Sequence, residues 1–414
     1  MAAAVAALFV ASGCALVDRA SLSSSGVEPD LASGAPSVTA GGGLVAFESA
    51  GTNVVADDTN GVVDVFLRDT LADTTLRISV GPGGVQADGP SRGPVVTPDG
   101  QFVVFESEAS NLVVGDVNGV ADVFVWEAAT GSISLVSVGD GGGQADGPSA
   151  RPDISDDGRF VVFESDATNL VSGDGNGVTD VFVYDRTLST TVRQPFGPAD
   201  VEPDGPSAEP AIAGDGSRIV FASLATNQVA GDGNGAWDVF LWDVGTMTTQ
   251  RVSVDASLVE GNGDSRAPAV SGDGSVVVFE SDASNLDPTD TNAVTDVFAV
   301  ESGTPVERIA PGGAEGDGAS RRPSISDDGT VVGFETDAAN FAADDTNGAR
   351  DVYIVDRADG RVVRVSSDYG RGQGDDDSFD VFVDQTGEVV AFTTSSSNLS
   401  WADTNGVDDV VIRS

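Results

Sequence analysis

Histidine and lysine are absent from all 414 residues, cysteine occurs once, and aromatic residues make up only 6% of the chain. Without His or Lys the usual general base and the Schiff-base amine are missing, as are any His-dependent triad and any His-ligated metal. The lone Cys14 excludes an internal disulfide and a thiolate metal cluster. Positive charge is scarce as well. Twenty basic residues, all Arg, face 66 acidic ones, for a formal net charge of −46. Nucleic acid and anionic lipid headgroups demand a basic face and are not expected partners, whereas cations and basic proteins are better matched. High negative charge also serves simply to keep an exported protein soluble. Long helical periodicity is missing too. The apolar residues come in short runs of Val, Ile and Phe punctuated by Gly, Asp and Ser, which is an all-β pattern.

What is present is a repeat. The sequence Asp-x-Asn-Gly-x-x-Asp, with Asn292-Ala293 in place of Asn-Gly in the fifth copy, runs into Val-Phe or a close variant and begins at Asp58, Asp116, Asp174, Asp232, Asp290, Asp345 and Asp403, at steps of 58 residues with one step of 55. A fixed period of this length marks a propeller or a solenoid. Residues 94–138 read as one unit: strands over 94–97, 102–107, 123–126 and 135–138, joined by turn residues. The same reading places blades at about 36–80, 94–138, 152–196, 210–254, 268–310, 323–367 and 381–413. A turn glycine recurs at Gly42, Gly100, Gly158, Gly216, Gly274, Gly329 and Gly387, where a positive φ is expected. A second-strand Phe recurs at Phe47, Phe105, Phe163, Phe221, Phe279, Phe334 and Phe392, expected to fill the space between sheets. The expected fold is therefore an all-β, seven-bladed propeller of four-stranded antiparallel blades.

The seventh unit reaches Ser414 just after its third strand, and residues 17–22 align with the fourth strand of the first unit at the same 58-residue offset. The N-terminal strand is thus expected to complete the last blade and close the ring, which would remove an open sheet edge. Ahead of it, residues 1–14 are apolar and end in Ala11-Ser12-Gly13-Cys14, too short to span a bilayer and readable as a signal peptide with a lipobox-like end. The expectation is export, lipid modification at Cys14, and a single propeller domain over 15–414 at the cell surface or in the periplasm. A plain secretory signal with an incidental Cys is the alternative.

The turn segments Thr97-Pro98-Asp99-Gly100, Ser155-Asp156-Asp157-Gly158 and Ser326-Asp327-Asp328-Gly329, with the Val-Val-Phe or Val-Gly-Phe that follows each, resemble the WD-repeat-like propeller repeats of the TolB family. The resemblance spans essentially the whole mature chain. It implies an extracytoplasmic scaffold with a protein-binding surface. Six blades are common in that family, so a six-bladed count is the alternative to the seven read here.

Alternate loops of a blade emerge on one face, so the two long loops, after the second and fourth strands, share a densely acidic face. In the first loop, calcium is the candidate ligand. Side-chain oxygens are offered by Asp58, Asn60 and Asp64; Asp116, Asn118 and Asp122; Asp174, Asn176 and Asp180; Asp232, Asn234 and Asp238; Asp290, Asn292 and Asp296; Asp345, Asn347 and Asp351; and Asp403, Asn405 and Asp409. The Gly at position six and Glu at position twelve of an EF-hand are missing, and Asn-Gly with Asp is also ordinary turn chemistry. The Glu after the second-strand Phe (Glu48, Glu106, Glu164, Glu280, Glu335) reads as a helper or a solvated position. The Ser of the second loop reads as a turn hydroxyl. The Asn that opens each first loop, such as Asn111 or Asn169, reads as a backbone-bonding residue. No catalytic residue is expected. The leading reading is a non-enzymatic, monomeric binding protein whose acidic face meets a protein or a surface polymer. A lectin-like glycan binder is the alternative, and a glycosidase-type hydrolase the least favoured.

Overall fold

The computed structural model describes residues 17–194, 201–301, 304–310, 315–368, 372–400 and 403–414. The apolar N-terminal stretch and Cys14 lie outside the described residues. Among those described, no helix is long and apolar enough to cross a membrane.

Seven four-stranded antiparallel sheets form seven blades. In blade 1 the strands are Ser33–Val38, Leu44–Ser49, Asp64–Asp69 and Thr74–Arg77, and in blade 2 Ser91–Val96, Phe102–Ser107, Asp122–Glu127 and Ser132–Leu135. Blades 3 to 6 start at Ser149, Ser207, Ser265 and Ser320 and end at Gln194, Arg251, Arg308 and Arg364. Blade 7 comprises Ser378–Val383, Val390–Thr394, Asp409–Arg413 and, from the other end of the chain, Val17–Arg19. Val17 pairs with Arg413 and Arg19 with Val411, so the ring closes through the N-terminal strand as expected. The count is seven, not six. The fourth strand of blade 2 lies earlier than its apolar run suggests. It occupies Ser132–Leu135, and Val136–Val138 turn away to let Val138 bridge Gln144.

The core is periodic. Every second-strand Phe is fully buried, and Phe47, Phe105, Phe163, Phe221 and Phe279 stack on third-strand partners, with ring centroids 5.5–5.9 Å apart. Such pairs add to the hydrophobic gain of burying each ring. The turn glycines take positive φ, +70° at Gly100, and a Cβ there would lie 2.4 Å from Leu44 Cδ1 of the preceding blade. Both the backbone and the close blade packing therefore require glycine. The Ser that opens each innermost strand is not a turn hydroxyl. Ser91 Oγ pairs across the ladder with Ser107 Oγ at 2.9 Å, and the equivalent pair recurs in every blade.

Each innermost strand carries a bulge at its third residue, where φ is positive: Ala35, Gly93, Arg151, Glu209, Ala267, Arg322 and Asp380. The bulge frees an N–H that the ladder would otherwise use. The second-strand Glu of the preceding blade accepts it: Glu48 from Gly93 (2.9 Å), Glu106 from Arg151 (2.9 Å), Glu164 from Glu209 (2.8 Å), Glu280 from Arg322 (2.8 Å) and Glu335 from Asp380 (3.3 Å). These glutamates are inter-blade clasps rather than solvated helpers. Burial raises the carboxyl pKa of Glu48, Glu164, Glu280 and Glu335 despite the bonds they accept.

Candidate functional site on the long-loop face

The repeated Asp-x-Asn-Gly-x-x-Asp loop folds into a buried polar box. Its second Asp opens the third strand and is almost wholly enclosed in every blade. In blade 1, Asp64 Oδ1 accepts from Ser79 Oγ (2.6 Å), and Oδ2 accepts from Asn60 Nδ2 (2.8 Å) and Arg77 Nη1 (3.1 Å). The first Asp, Asp58, pairs with the same Arg77 Nη1 at 2.9 Å. Asn60 thus turns a donor, not an oxygen, toward the acid, while its Oδ1 accepts from Val62 N. The φ of +68° at Gly61 explains the Asn-Gly, and blade 5 meets the same demand with Ala293 at +56°.

The arginine recurs at the end of the fourth strand. Arg193 Nη1 stands 3.0 Å from Asp174, 3.1 Å from Asp180 and 2.7 Å from Glu202. Arg251 Nη1 is likewise 3.4, 3.0 and 2.8 Å from Asp232, Asp238 and Glu260. Arg308 joins Asp287, Asp296 and Glu315, and Arg19 joins Glu28, Asp403 and Asp409. In blade 2 the position is Leu135, and among the described residues Asp116 and Asp122 lie buried without a guanidinium; burial raises both their pKa values. Burial likewise pushes Asp180, Asp232, Asp296 and Asp409 up to about 6, against the pull of the nearby arginines. The loop therefore brings together each sequence-expected set of Asp and Asn. In six blades it adds an arginine, and in five a Ser, that were not singled out from the sequence. The recurrence of Arg19, Arg77, Arg193 and Arg251 in one register was the available signal.

The oxygens of Asp174, Asp180 and Glu202, and those of Asp232, Asp238 and Glu260, lie within 4.8 Å of one another, close enough to hold a metal ion. A guanidinium nitrogen stands among the same oxygens, and a metal ion would have to displace it.

Outside the boxes, the second long loop presents Asp30, Asp88, Asp146, Asp204, Asn262, Asp317 and Asp375, all exposed. Each is fixed by the neighbouring loop of its own blade. Asp88, for example, accepts from Ser110 N and Oγ, both at 2.8 Å. Asn111 closes the same junction by accepting from Asp88 N (3.2 Å) and donating to Gln86 O (2.8 Å), so these Asn residues do bond the backbone. Hydrogen bonds from Thr52 and Thr168 hold the carboxyls of Asp30 and Asp146 below their ordinary pKa. Of the tryptophans, Trp126 and Trp242 belong to the core and Trp237 lies under the Arg266 guanidinium at 3.9 Å. None of these three offers a bare ring as a sugar platform.

No family model matches the chain, and no curated protein matches it. Solved structures do. An oligogalacturonate lyase in complex with manganese matches with a TM-score of 0.56 at 13% identity, over 97% of this chain and 93% of that one. A prolyl endopeptidase structure matches with a TM-score of 0.54 at 15% identity, over 92% of this chain and 50% of that one. TolB from Acinetobacter baumannii matches with a TM-score of 0.44 at 17% identity, over 80% of this chain, which spans 65% of that protein's length. These neighbours correct one expectation. Enzymes are among the propellers this chain resembles, so the fold does not set it apart as non-enzymatic. The structures it resembles thus join TolB and enzyme propellers, and what they have in common with this chain is the propeller fold.

Proposed function

We propose that the chain is an exported propeller, lipid-anchored through Cys14, that binds a basic protein partner with its long-loop face. The observation that carries this reading is the exposed ring Asp30, Asp88, Asp146, Asp204, Asp317 and Asp375, in which six of seven blades present a carboxylate already fixed by hydrogen bonds. Pre-fixed side chains lose little entropy on binding, and like charges gathered on one face steer an oppositely charged partner. The resemblance of the turn segments, such as Thr97-Pro98-Asp99-Gly100, to TolB-family repeats supports a scaffold role outside the cytoplasm. The same face is proposed to take calcium, which would tie its stability to an exterior rich in that ion.

The test is binding to partners captured from envelope extracts, comparing the native chain with the triple variant D88N/D146N/D204N. Binding that weakens with added salt and falls in the variant supports the reading. Binding indifferent to both would refute it.

A further inference from the structure

Six of the seven first loops carry Asn-Gly, a pair in which the asparagine amide is open to attack by the next backbone nitrogen, because glycine has no side chain to block the approach. The polar box restrains that amide. Asn60 Nδ2 donates to Asp64 (2.8 Å) and to Ala87 O (3.1 Å), and equivalent pairs of bonds hold Asn118, Asn176 and Asn234. Asn405 keeps both as well, with 3.1 Å to Pro29 O and a longer 3.4 Å to Asp409. Blade 6 is the exception. Asn347 Nδ2 donates to Gly374 O (2.7 Å), and among the described residues no hydrogen bond joins it to Asp351. Asp351 turns its carboxyl to Ser366 and Asp345 instead. Asn347 is also exposed, whereas the asparagines of the other five Asn-Gly pairs are half-buried. Its Oδ1 accepts from Ala349 N (3.1 Å), but the other copies have the same bond, so this does not set blade 6 apart.

We propose that Asn347-Gly348 is a site of spontaneous deamidation, and that the boxes of the other blades protect their own Asn-Gly pairs from the same reaction. The Gly348 amide nitrogen gives its proton to solvent hydroxide and attacks Asn347 Cγ. The new C–N bond closes a succinimide ring, and the Cγ–Nδ2 bond breaks, the nitrogen leaving as ammonia with a proton from water. Water then opens the ring. Cleavage of the bond to Cγ gives aspartate, and cleavage of the original peptide C–N bond gives isoaspartate, with the main chain rerouted through the side chain. The balance is amide plus water to carboxylate plus ammonium, and solvent supplies all that the exposed site needs. Either product loses the donor that holds Gly374 O and adds a carboxylate to a loop already carrying Asp344, Asp345 and Asp351. Gly374 precedes Asp375 of the exposed acidic ring, so the modification alters that face at blade 6 whatever partner the face meets.

The test is to age the full chain in mildly alkaline, chelator-treated buffer, folded and in urea, and to map it by mass spectrometry after cleavage at arginine. That cleavage puts the six Asn-Gly pairs on six separate peptides, Asn347 on 322–350. In the folded chain this peptide should gain acid and isoaspartyl forms about tenfold faster than any of the other five, the factor expected for one missing hydrogen bond to a carboxylate. In urea the six rates should draw together, because every amide is then free. Gly348→Ala, which sets a methyl group in the path of attack, should slow the reaction by about tenfold or more. The loop should tolerate that change, since Ala293 holds the equivalent place in blade 5 at φ +56°. Equal rates in the folded chain, a faster pair in another blade, or a lead of 322–350 that survives in urea overturns the assignment. An acid form that accumulates undiminished in G348A overturns the succinimide route.

Discussion

Replacing Arg193 with Met is the sharpest perturbation of the polar box. Arg193 is 2% exposed, and one of its nitrogens lies within 3.1 Å of all three acids, Asp174, Asp180 and Glu202. Methionine keeps the stem's packing but leaves Asp174 and Asp180 buried with no counter-charge. Removing one partner of a buried ion pair costs about 3–5 kcal/mol, much of it the penalty on the charges left behind. Glu202 is 30% exposed and regains solvent, so the lower half of that range is expected at pH 7. Urea unfolding at pH 7 and pH 5 is the assay. Burial has already pushed Asp180 up to about 6, and without the guanidinium it moves higher. The carboxyl takes up a proton by pH 5, the uncompensated charge disappears, and the deficit should shrink. Addition of millimolar calcium to the variant asks whether the emptied triad accepts a metal ion. A deficit below about 1 kcal/mol at pH 7, or one that does not change with pH, would refute the argument that the arginine neutralises the box.

Glu106→Ala removes the clasp on the Arg151 N–H and should cost about 1–3 kcal/mol in chemical denaturation, whereas Gln in its place should cost less because it still accepts. Ala293→Gly relieves a non-glycine residue at φ +56° and should raise stability by up to about 1 kcal/mol, read as a higher denaturation midpoint. Asp327, at the inner turn of blade 6, is pushed up to about 7 by burial first and then by Asp156, Asp328, Asp384 and Asp273. Its folded pKa lies above the unfolded value, so the unfolded state gives up the proton more readily, and this contribution to stability is lost as pH rises from about 4 to about 7. The melting temperature should fall across that window, and Asp327→Asn should flatten the fall.

The fold was legible because a propeller repeats its instructions. Turn glycines and strand phenylalanines recur at one spacing, and each can be read without knowing what it touches. Ring closure was legible for the same reason: Arg19-Ala-Ser repeats the register of Arg77-Ile-Ser. The box was half legible. Asp58, Asn60 and Asp64 lie within seven residues of one another, but Arg77 joins them from the far end of the blade, and periodicity alone does not say that two recurring residues meet. The clasps were harder still. Glu48 serves Gly93, 45 residues on and in another blade, and the N–H it caps exists only because a bulge frees it. Nothing in the composition of the inner strand announces that bulge, since Gly93 alone of the seven positions is a glycine.

The departures from the repeat show which part of the clasp carries the requirement. Blade 4 has Ala222 where a clasping Glu belongs, yet the Ala267 N–H is still met, at 2.8 Å, by Glu209 from the innermost strand. The demand is therefore set by the bulge N–H, and a carboxylate from either strand satisfies it. At the closing seam the corresponding residues are Thr393 and Asp380. Asp380 is one methylene shorter than Glu209 and is drawn to Arg322 at 2.6 Å, just as Glu209 is drawn to Arg151 at 2.9 Å. Thr393 is 1% exposed, and its Oγ1 has no hydrogen-bond partner; among the described residues no side chain accepts from the Ala35 N–H. Among the described residues, the junction of blades 7 and 1 is thus the one without a clasp, and it is held by the apolar cluster of Val38, Val45, Phe47, Val389 and Ala391 and by the Gly41 N–H on Asp384 at 2.9 Å. Within blade 7 the N-terminal strand is held by the short ladder of Val17–Arg19 on Arg413–Val411 and by Arg19 in its acidic box. The box of blade 7 does two jobs, neutralising Asp403 and Asp409 and pinning the N-terminal strand. Loss of Arg19 should therefore open the ring there before any other blade yields.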